Sequence, residues 1–328
     1  MKKLMNAADT MLAESLDGFA AAHADIVTLA ADRKFIRRRT LTPGKVALIS
    51  GGGSGHEPLH SGFVGRGMLD AACPGQVFTS PTPDQIVEAI EAVDTGAGSL
   101  LIVKNYEGDV MNFEMAAEIA GDHRMATVVI DDDVAVPNST WSTGRRGVAG
   151  TLVVEKILGA AAEQSMGLAE LQQLGRAMNA RTRSMGVALS PCTVPAAGKP
   201  TFQLGDDEME VGVGIHGEPG RKRTRLEAAD AIAEEMIGSI VADLAPSEGR
   251  ECLLLVNGFG ATPSMELYLM VNAARRILQA RGLVVARYLT GSLVTSLDMA
   301  GCSLTVSILD ADTMRLWDAP VKTAALCW

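Results

Sequence analysis

KVALISGGGSGHEPLH, residues 45–60, sets a short apolar run against three consecutive glycines, a proline and two histidines. It invites two nucleotide readings and one metal reading. A Walker loop needs Gly-Lys-Ser/Thr at its end, and Gly55 is followed by His56. The dinucleotide fingerprint G-x-G-x-x-G, begun at Gly51, meets His56 where its third glycine belongs. His56-Glu57-Pro58-Leu59-His60 spells the zinc motif H-E-x-x-H, which works only where residues i and i+4 share a face of one helix. Proline is tolerated at the first helical position and not deeper. The expectation is therefore that Pro58 opens a helix, His56 stays in the loop before it, and His60 is a helix residue without a role. What survives is a strand, a glycine-rich turn and a helix, a unit that lets a small molecule approach the backbone closely.

The residues around this unit repeat its plan. Lys45–Ser50, Gln76–Ser80, Leu100–Asn105 and Thr127–Asp132 read as strands. Between them lie helical patterns. The one opened by Pro83 places Ile86, Ala89, Ile90 and Val93 on one face, and others run through Met111–Gly121 and Gly147–Glu163. Such alternation predicts a largely parallel sheet covered by helices. The segment Met185–Thr201, with Pro191, Pro195 and Pro200, reads as a linker or crossing segment. Beyond it a strand-like run ends at His216. An amphipathic helix then spans Leu226, Ile232, Met236, Ile237, Ile240 and Val241, and further strands and helices follow. The fold class expected is α/β in two domains: residues 1–183 with the glycine loop and the parallel sheet, and residues 184–328, a mixed α/β domain.

Bulk properties narrow the class. A chain of 328 residues with 47% hydrophobic and only 4% aromatic residues, and 34 glycines, suits an α/β enzyme with many tight turns. Its net charge of −10 argues against general nucleic-acid binding. The basic runs Arg33–Arg39 and Arg221–Arg225 read first as solvated faces. Five scattered cysteines without a C-x-x-C pair read as buried thiols in a reducing compartment, with Cys192 structural. No stretch resembles a signal peptide or a membrane span, so a cytoplasmic location is expected.

In an open α/β sheet, ligands bind beyond the carboxyl ends of the strands. Those ends carry His56, then Ser80–Asp84, then Lys104 and Asp109, then Asp131–Asp133. The aspartate run admits a magnesium reading and a capping reading. His216 is flanked by Gly212, Gly214 and Gly217, and an imidazole so placed can serve as nucleophile or base. The two halves also share a small echo, Gly55–Pro58 (GHEP) and His216–Gly220 (HGEPG).

The chain resembles the substrate-binding K subunit of dihydroxyacetone kinases. The resemblance rests on residues 44–69, 72–86, 104–116, 128–136, 144–163, 192–202 and 211–220, and it continues through NGFGATPSMELY, TSLDMAGCSLT and LWDAPVKTAAL. It implies a homodimeric two-domain α/β subunit that holds a small ketose covalently, as a hemiaminal on His216. His56 is then the acid/base on the substrate and Asp109 the matching carboxylate, and Gly53, Ser54, Gly55 and Lys104 fall at substrate-contacting positions. A covalent bond to a ketone selects ketones over polyols and fixes the terminal hydroxyl for phosphoryl transfer. The resemblance also implies that this chain binds no cofactor. ADP or ATP with Mg²⁺ would sit on a nucleotide-carrying L-type subunit, recharged where needed by a phosphotransferase M-type subunit. That weakens the magnesium reading of Asp131–Asp133, and the run at Arg221–Arg225 becomes a candidate to receive the partner's phosphates. The stretch Asp243–Glu251 is shorter than in many members, which leaves a four-carbon ketose such as erythrulose open. A non-catalytic ketose sensor is the competing class.

Overall fold

The apolar run after Lys45 forms a strand, but the strand does not stop at the glycines. The computed structural model describes residues 2–328. Its strands are β1 (Val27–Leu29), β2 (Ile36–Arg38), β3 (Ala47–Ser54), β4 (Gly65–Arg66), β5 (Ala71–Val77), β6 (Ser99–Lys104) and β7 (Met125–Ile130), then β8 (Thr182–Ala188), β9 (Glu208–Val211), β10 (Lys222–Arg225), β11 (Glu251–Gly258), β12 (Val284–Gly291), β13 (Gly301–Leu309) and β14 (Lys322–Thr323). Its helices are α1 (Met11–Ala22), α2 (Pro83–Val93), α3 (Glu107–Ile119), α4 (Gly150–Glu163), α5 (Leu168–Ala180), α6 (Ala229–Leu244), α7 (Ser264–Ala280) and α8 (Ala311–Asp318).

The first sheet has the order β1-β2-β5-β3-β6-β7. β5, β3, β6 and β7 are parallel, and β1 and β2 add an antiparallel edge. The second sheet, β10-β9-β8-β13-β11-β12, is antiparallel except for the β11–β12 pair. The α/β class and the contrast between a largely parallel and a mixed half are as the sequence pattern predicts. β8 starts the second sheet at Thr182.

α4 lies between the two sheets and is buried on every side from Gly150 to Ala162. Each of its fully buried Leu, Ile and Val side chains contributes roughly 1.5–3 kcal/mol. The core around it joins Leu48 and Ile102 of the first sheet to Leu253 and Leu255 of the second. The C-terminal segment closes back on the first half, where β14 pairs with β4. Among the described residues no helix is long and apolar enough to cross a membrane.

α2 starts as its sequence requires. Pro83 occupies the first turn, and the Thr82 amide donates to Gln85 Oε1 in a capping box. Several local expectations fail for identifiable reasons. Gly51–Gly53 are not a turn; they stay extended, in parallel register with Cys73, Pro74 and Gly75. The second strand is Ala71–Val77 rather than Gln76–Ser80. Pro74 is tolerated there because β2 pairs only with Ala71 and Ala72, leaving that edge without a ladder bond at Pro74. The strand ends where Phe78 turns to a φ of 56°. Pro58 opens no helix, and residues 57–60 form a turn followed by a single 3₁₀ turn, Ser61–Phe63. The loop before it is tied to the second half, where the carbonyls of Gly55 and His56 accept from the amides of Leu297 and Thr295. Met185–Ala188 belong to β8, and only the proline-bearing residues after them are irregular. His216 lies five residues beyond the end of β9, because Gly212, at a φ of 84°, turns the chain out of the sheet. Leu226 is exposed and precedes α6.

Candidate active site

The carboxyl ends of β3, β5 and β6 open on a cleft of about 740 Å³ whose walls include Gly53, Phe78, Tyr106, Asp109, Trp141 and His216. The first half supplies the floor, and the loop after β9 brings His216 in from the second. His216 sits among three rings nearly perpendicular to its own: Tyr106, His56 and Phe78, at 4.6, 4.7 and 5.2 Å between centroids. His56 in turn stacks on Phe78 at 5.0 Å.

Each histidine has one nitrogen committed. His216 Nδ1 is 3.0 Å from Glu218 Oε1, and the His216 amide donates to Glu218 Oε2 at 2.9 Å. A carboxylate only accepts, so the ring proton is on Nδ1 and the lone pair is on Nε2. Burial alone would raise the Glu218 carboxyl, but the adjacent His216 ring and the Arg146 guanidinium hold it down at about 2. His56 Nδ1 donates to the Thr295 carbonyl at 2.7 Å, so its Nε2 also carries a lone pair, and that atom is buried without a partner. Burial, then the nearby His216 and Lys104, push His56 well below the ordinary imidazole range, which keeps the ring neutral.

The glycines around these groups make room for the protein itself. A Cβ on Gly214 would meet Glu218 Oε2 at 2.1 Å, and one on Gly52 would meet Lys104 Nζ at 2.2 Å. The echo between the halves has a structural meaning. Glu57 and Glu218 each fold back to accept the amide two residues earlier, of Gly55 and His216 respectively.

Asp109 sits in the first turn of α3. Its Oδ2 is 3.5 Å from Lys104 Nζ, while its Oδ1 is buried without a partner. His216, Asp109 and Gly53 line the cleft, His56 packs against His216, and Lys104 is buried beneath β3. The polar groups of Ser54 and Gly55 are engaged elsewhere: the Ser54 hydroxyl donates to the Gly75 carbonyl at 2.7 Å and the Gly55 amide to Glu57. His60, expected on a helix without a role, is instead a buried turn residue between Glu155 and Lys104.

The aspartate run is structural in its contacts. Asp132 accepts from the amides of Val148 and Gly150 and from the Ser184 hydroxyl, Asp133 pairs with Arg146 and Asp131 with Asn179. Burial raises Asp132 to about 6. Among the described residues no three or more His, Cys, Asp or Glu side chains are grouped to hold a metal ion. None of Arg221–Arg225 lines the cleft. Arg221 donates to the carbonyls of Val134 and Ala135, and Lys222 and Arg223 pair with Glu235 and Glu210. Cys192 is buried beside Thr201 and Ser296.

Sequence reasoning missed Glu218, Thr295, Tyr106 and the pair His60–Glu155. Glu218 stood within the GHEP/HGEPG echo. Glu155 was marked by its charge within the otherwise apolar run of α4. Thr295 carried no local signal, since its role depends on a contact with residue 56.

The model of the Dak1 domain matches residues 17–325. The chain is 51% identical to the "PTS-dependent dihydroxyacetone kinase 1, dihydroxyacetone-binding subunit DhaK" of Listeria innocua, over 99% of this chain and 100% of that protein. Among solved structures, it superposes on the "Dihydroxyacetone kinase operon co-activator Dha-DhaQ" with a TM-score of 0.90 and 36% identity, covering 95% of this chain and 97% of that one. It superposes on the dihydroxyacetone kinase of C. freundii with a TM-score of 0.89 and 35% identity, covering 98% of this chain and 60% of the other.

Proposed function

The chain belongs to the Dak1 domain family, and from that premise we propose that it is the ketose-binding subunit of a dihydroxyacetone kinase, acting with a separate nucleotide-carrying subunit. The observation that carries the reading is His216. Its Nδ1 is clamped by Glu218, so Nε2 is the free nucleophilic atom, and the ring faces the cleft. Nε2 adds to the ketone carbon, and the C=O π pair moves to oxygen. The oxygen takes up one solvent proton, relayed through His56 Nε2, so the adduct gains one positive charge overall. The ring, now substituted, carries a positive charge that the Glu218 carboxylate neutralises. The adduct is a hemiaminal with the primary hydroxyl held in the cleft. Asp109, with Oδ1 unpartnered, accepts the proton of that hydroxyl as its oxygen attacks the phosphoryl group.

The nucleotide and Mg²⁺ belong to the partner in this reading. The exposed Met111 and Trp141, on the walls of the cleft, are an apolar rim suited to that partner. The name of the Listeria relative favours a phosphotransferase-charged partner and a three-carbon ketose. We carry over the homodimer and the cytoplasmic location as part of the same proposal.

A sensor of ketoses is the second reading, favoured by the likeness to a co-activator. The unmodified chain and Asp109→Ala together separate the two, because a sensor forms the His216 adduct and phosphorylates nothing in either. With a ketose ¹³C-labelled at its carbonyl, NMR follows conversion of the carbonyl carbon to a tetrahedral one, and a coupled assay with candidate partner subunits follows phosphorylation. The enzyme reading expects the adduct to persist in Asp109→Ala and turnover to vanish. Phosphorylation surviving in that variant removes Asp109 from its role. No phosphorylation with any donor, adduct intact, leaves the sensor.

A further inference from the structure

Helix α4 is enclosed on all sides, yet it carries two adjacent ionisable residues, Glu155 and Lys156, both 0% exposed. Burying such groups is costly unless each finds partners. Lys156 finds the Leu316 carbonyl at 2.9 Å. Glu155 points the other way, toward the underside of β3, and its Oε1 is 2.6 Å from His60 Nδ1.

The His60 ring is held at both nitrogens. Nε2 lies 3.1 Å from Lys104 Nζ, and an ammonium can only donate, so Nε2 accepts and the ring proton is on Nδ1. That proton is donated to Glu155, with Ser50 Oγ 3.0 Å away as a second neighbour that itself donates to the Ile102 carbonyl. Burial, against the pull of Lys104 and Ser50, raises the Glu155 carboxyl to about 8, so near neutral pH it is largely the uncharged acid. Lys104 Nζ occupies the space that a Cβ on Gly52 would fill, and from there it reaches Asp109 Oδ2 at 3.5 Å. A continuous line of polar contacts thus runs from the middle of α4 to the cleft: Glu155, His60, Lys104, Asp109.

We propose that His60 and Glu155 are positioning residues for phosphoryl transfer: Glu155 sets the His60 tautomer, His60 holds the Lys104 ammonium beneath Gly52, and the ammonium orients Asp109 with Oδ1 toward the substrate hydroxyl. This rests on the reading of Asp109 as the proton acceptor. It gives the second histidine of the H-E-x-x-H stretch a function unrelated to metal. The line meets Asp109 and not His216, so it acts on turnover and not on adduct formation.

The test uses the full chain with its nucleotide-carrying partner subunit and dihydroxyacetone. His60→Phe keeps the ring volume and removes both nitrogens. Glu155→Leu removes the acceptor, and Glu155→Gln restores one of nearly the same shape. Steady-state kcat and KM are measured, together with the ¹³C NMR adduct signal and the melting temperature. A misplacement of about 1 Å in a reacting group costs up to roughly 100-fold, so His60→Phe and Glu155→Leu are expected to lower kcat by about tenfold or more. KM and adduct occupancy should stay within about threefold, and Glu155→Gln should recover about fivefold over Glu155→Leu. Three outcomes overturn the proposal: a His60→Phe kcat within about twofold of the unmodified chain, adduct lost in step with kcat, or Glu155→Gln no better than Glu155→Leu. The Glu155 pair keeps the test decisive if His60→Phe does not fold. Asp109→Asn is the control for the underlying reading. If that variant turns over normally, the role of Asp109 is wrong whatever the His60 and Glu155 variants do.

Discussion

Glu218→Gln should weaken ketose capture by one to two orders of magnitude while leaving the fold in place. Glu218 gives one oxygen to His216 Nδ1–H at 3.0 Å and the other to the His216 amide at 2.9 Å. An amide of the same shape has only one acceptor. If it serves the backbone, its NH₂ faces Nδ1, the ring proton moves to Nε2 and the nucleophilic lone pair is lost. If it serves Nδ1, its NH₂ opposes the backbone amide, and the positive ring of the adduct has no counter-charge. Either way a charge-assisted hydrogen bond goes, worth about 1.5–3 kcal/mol. The electrostatics agree: Glu218 is held at about 2 against an ordinary 4.5, a gap of roughly 3 kcal/mol that is shared with Arg146. Between about 10- and 150-fold weaker binding follows, read by titrating the carbonyl-labelled ketose and following its tetrahedral signal. Binding within about threefold of the unmodified chain would refute the tautomer argument and, with it, the assignment of Nε2 as nucleophile.

Gly52→Ala should break the site from beneath. Its Cβ would stand 2.2 Å from Lys104 Nζ, and such overpacking costs typically about 1–3 kcal/mol, visible as a lower melting temperature with turnover lost. Gly18→Ala, where a Cβ meets nothing within 4 Å on helix α1, should instead raise stability by up to about 1 kcal/mol. Equal melting temperatures for the two variants would contradict the packing argument. The buried rings should also make stability depend on pH. Burial holds His56 and His60 well below 6.5 in the folded chain, so the unfolded chain binds more protons below that pH. Each ring then removes stability as pH falls, with a slope approaching about 1.4 kcal/mol per pH unit. Glu155, raised to about 8 from 4.5, has the opposite sign, and its contribution is present below 4.5 and lost as pH rises to 8. Asp132, raised to about 6 from 3.8, has the same sign as Glu155, so the two carboxyls offset much of the histidines' effect between pH 5 and 6, and each ring is read by difference against a variant that lacks it. A loss of melting temperature from pH 6.5 to pH 5 that is the same in His56→Phe as in the unmodified chain would show that the His56 ring is not buried neutral.

Much of the fold was legible because its signals are local. The apolar faces of α2 and α6 follow helical spacing, Pro83 and the Thr82–Gln85 capping box mark a helix start, and β6 and β7 are β-branched runs between them. The failures were equally physical. The three glycines read as a turn, yet pairing with β5 keeps them extended. Pro58 read as a helix start, yet residues 57–60 form a turn, and the loop before it is held through the Gly55 and His56 carbonyls by Leu297 and Thr295, far along the chain. The second strand read as Gln76–Ser80, yet β5 runs through Pro74 because β2 pairs only with Ala71 and Ala72.

By itself, the sequence determined which residue types gather at the carboxyl ends of the parallel strands, since alternating strands and helices force those ends to one side. It also carried the family resemblance, and with it His56, Asp109 and His216. The tertiary structure alone decided the state of those groups. Which nitrogen of each imidazole is free depends on the atom opposite the other nitrogen. That atom belongs to Glu218 for His216, to Thr295 for His56, and to Glu155 and Lys104 for His60. Except for Glu218, these partners lie tens to hundreds of residues away in the chain. Tautomer and basicity are set by a neighbour's identity and by burial, and neither is written in local spacing.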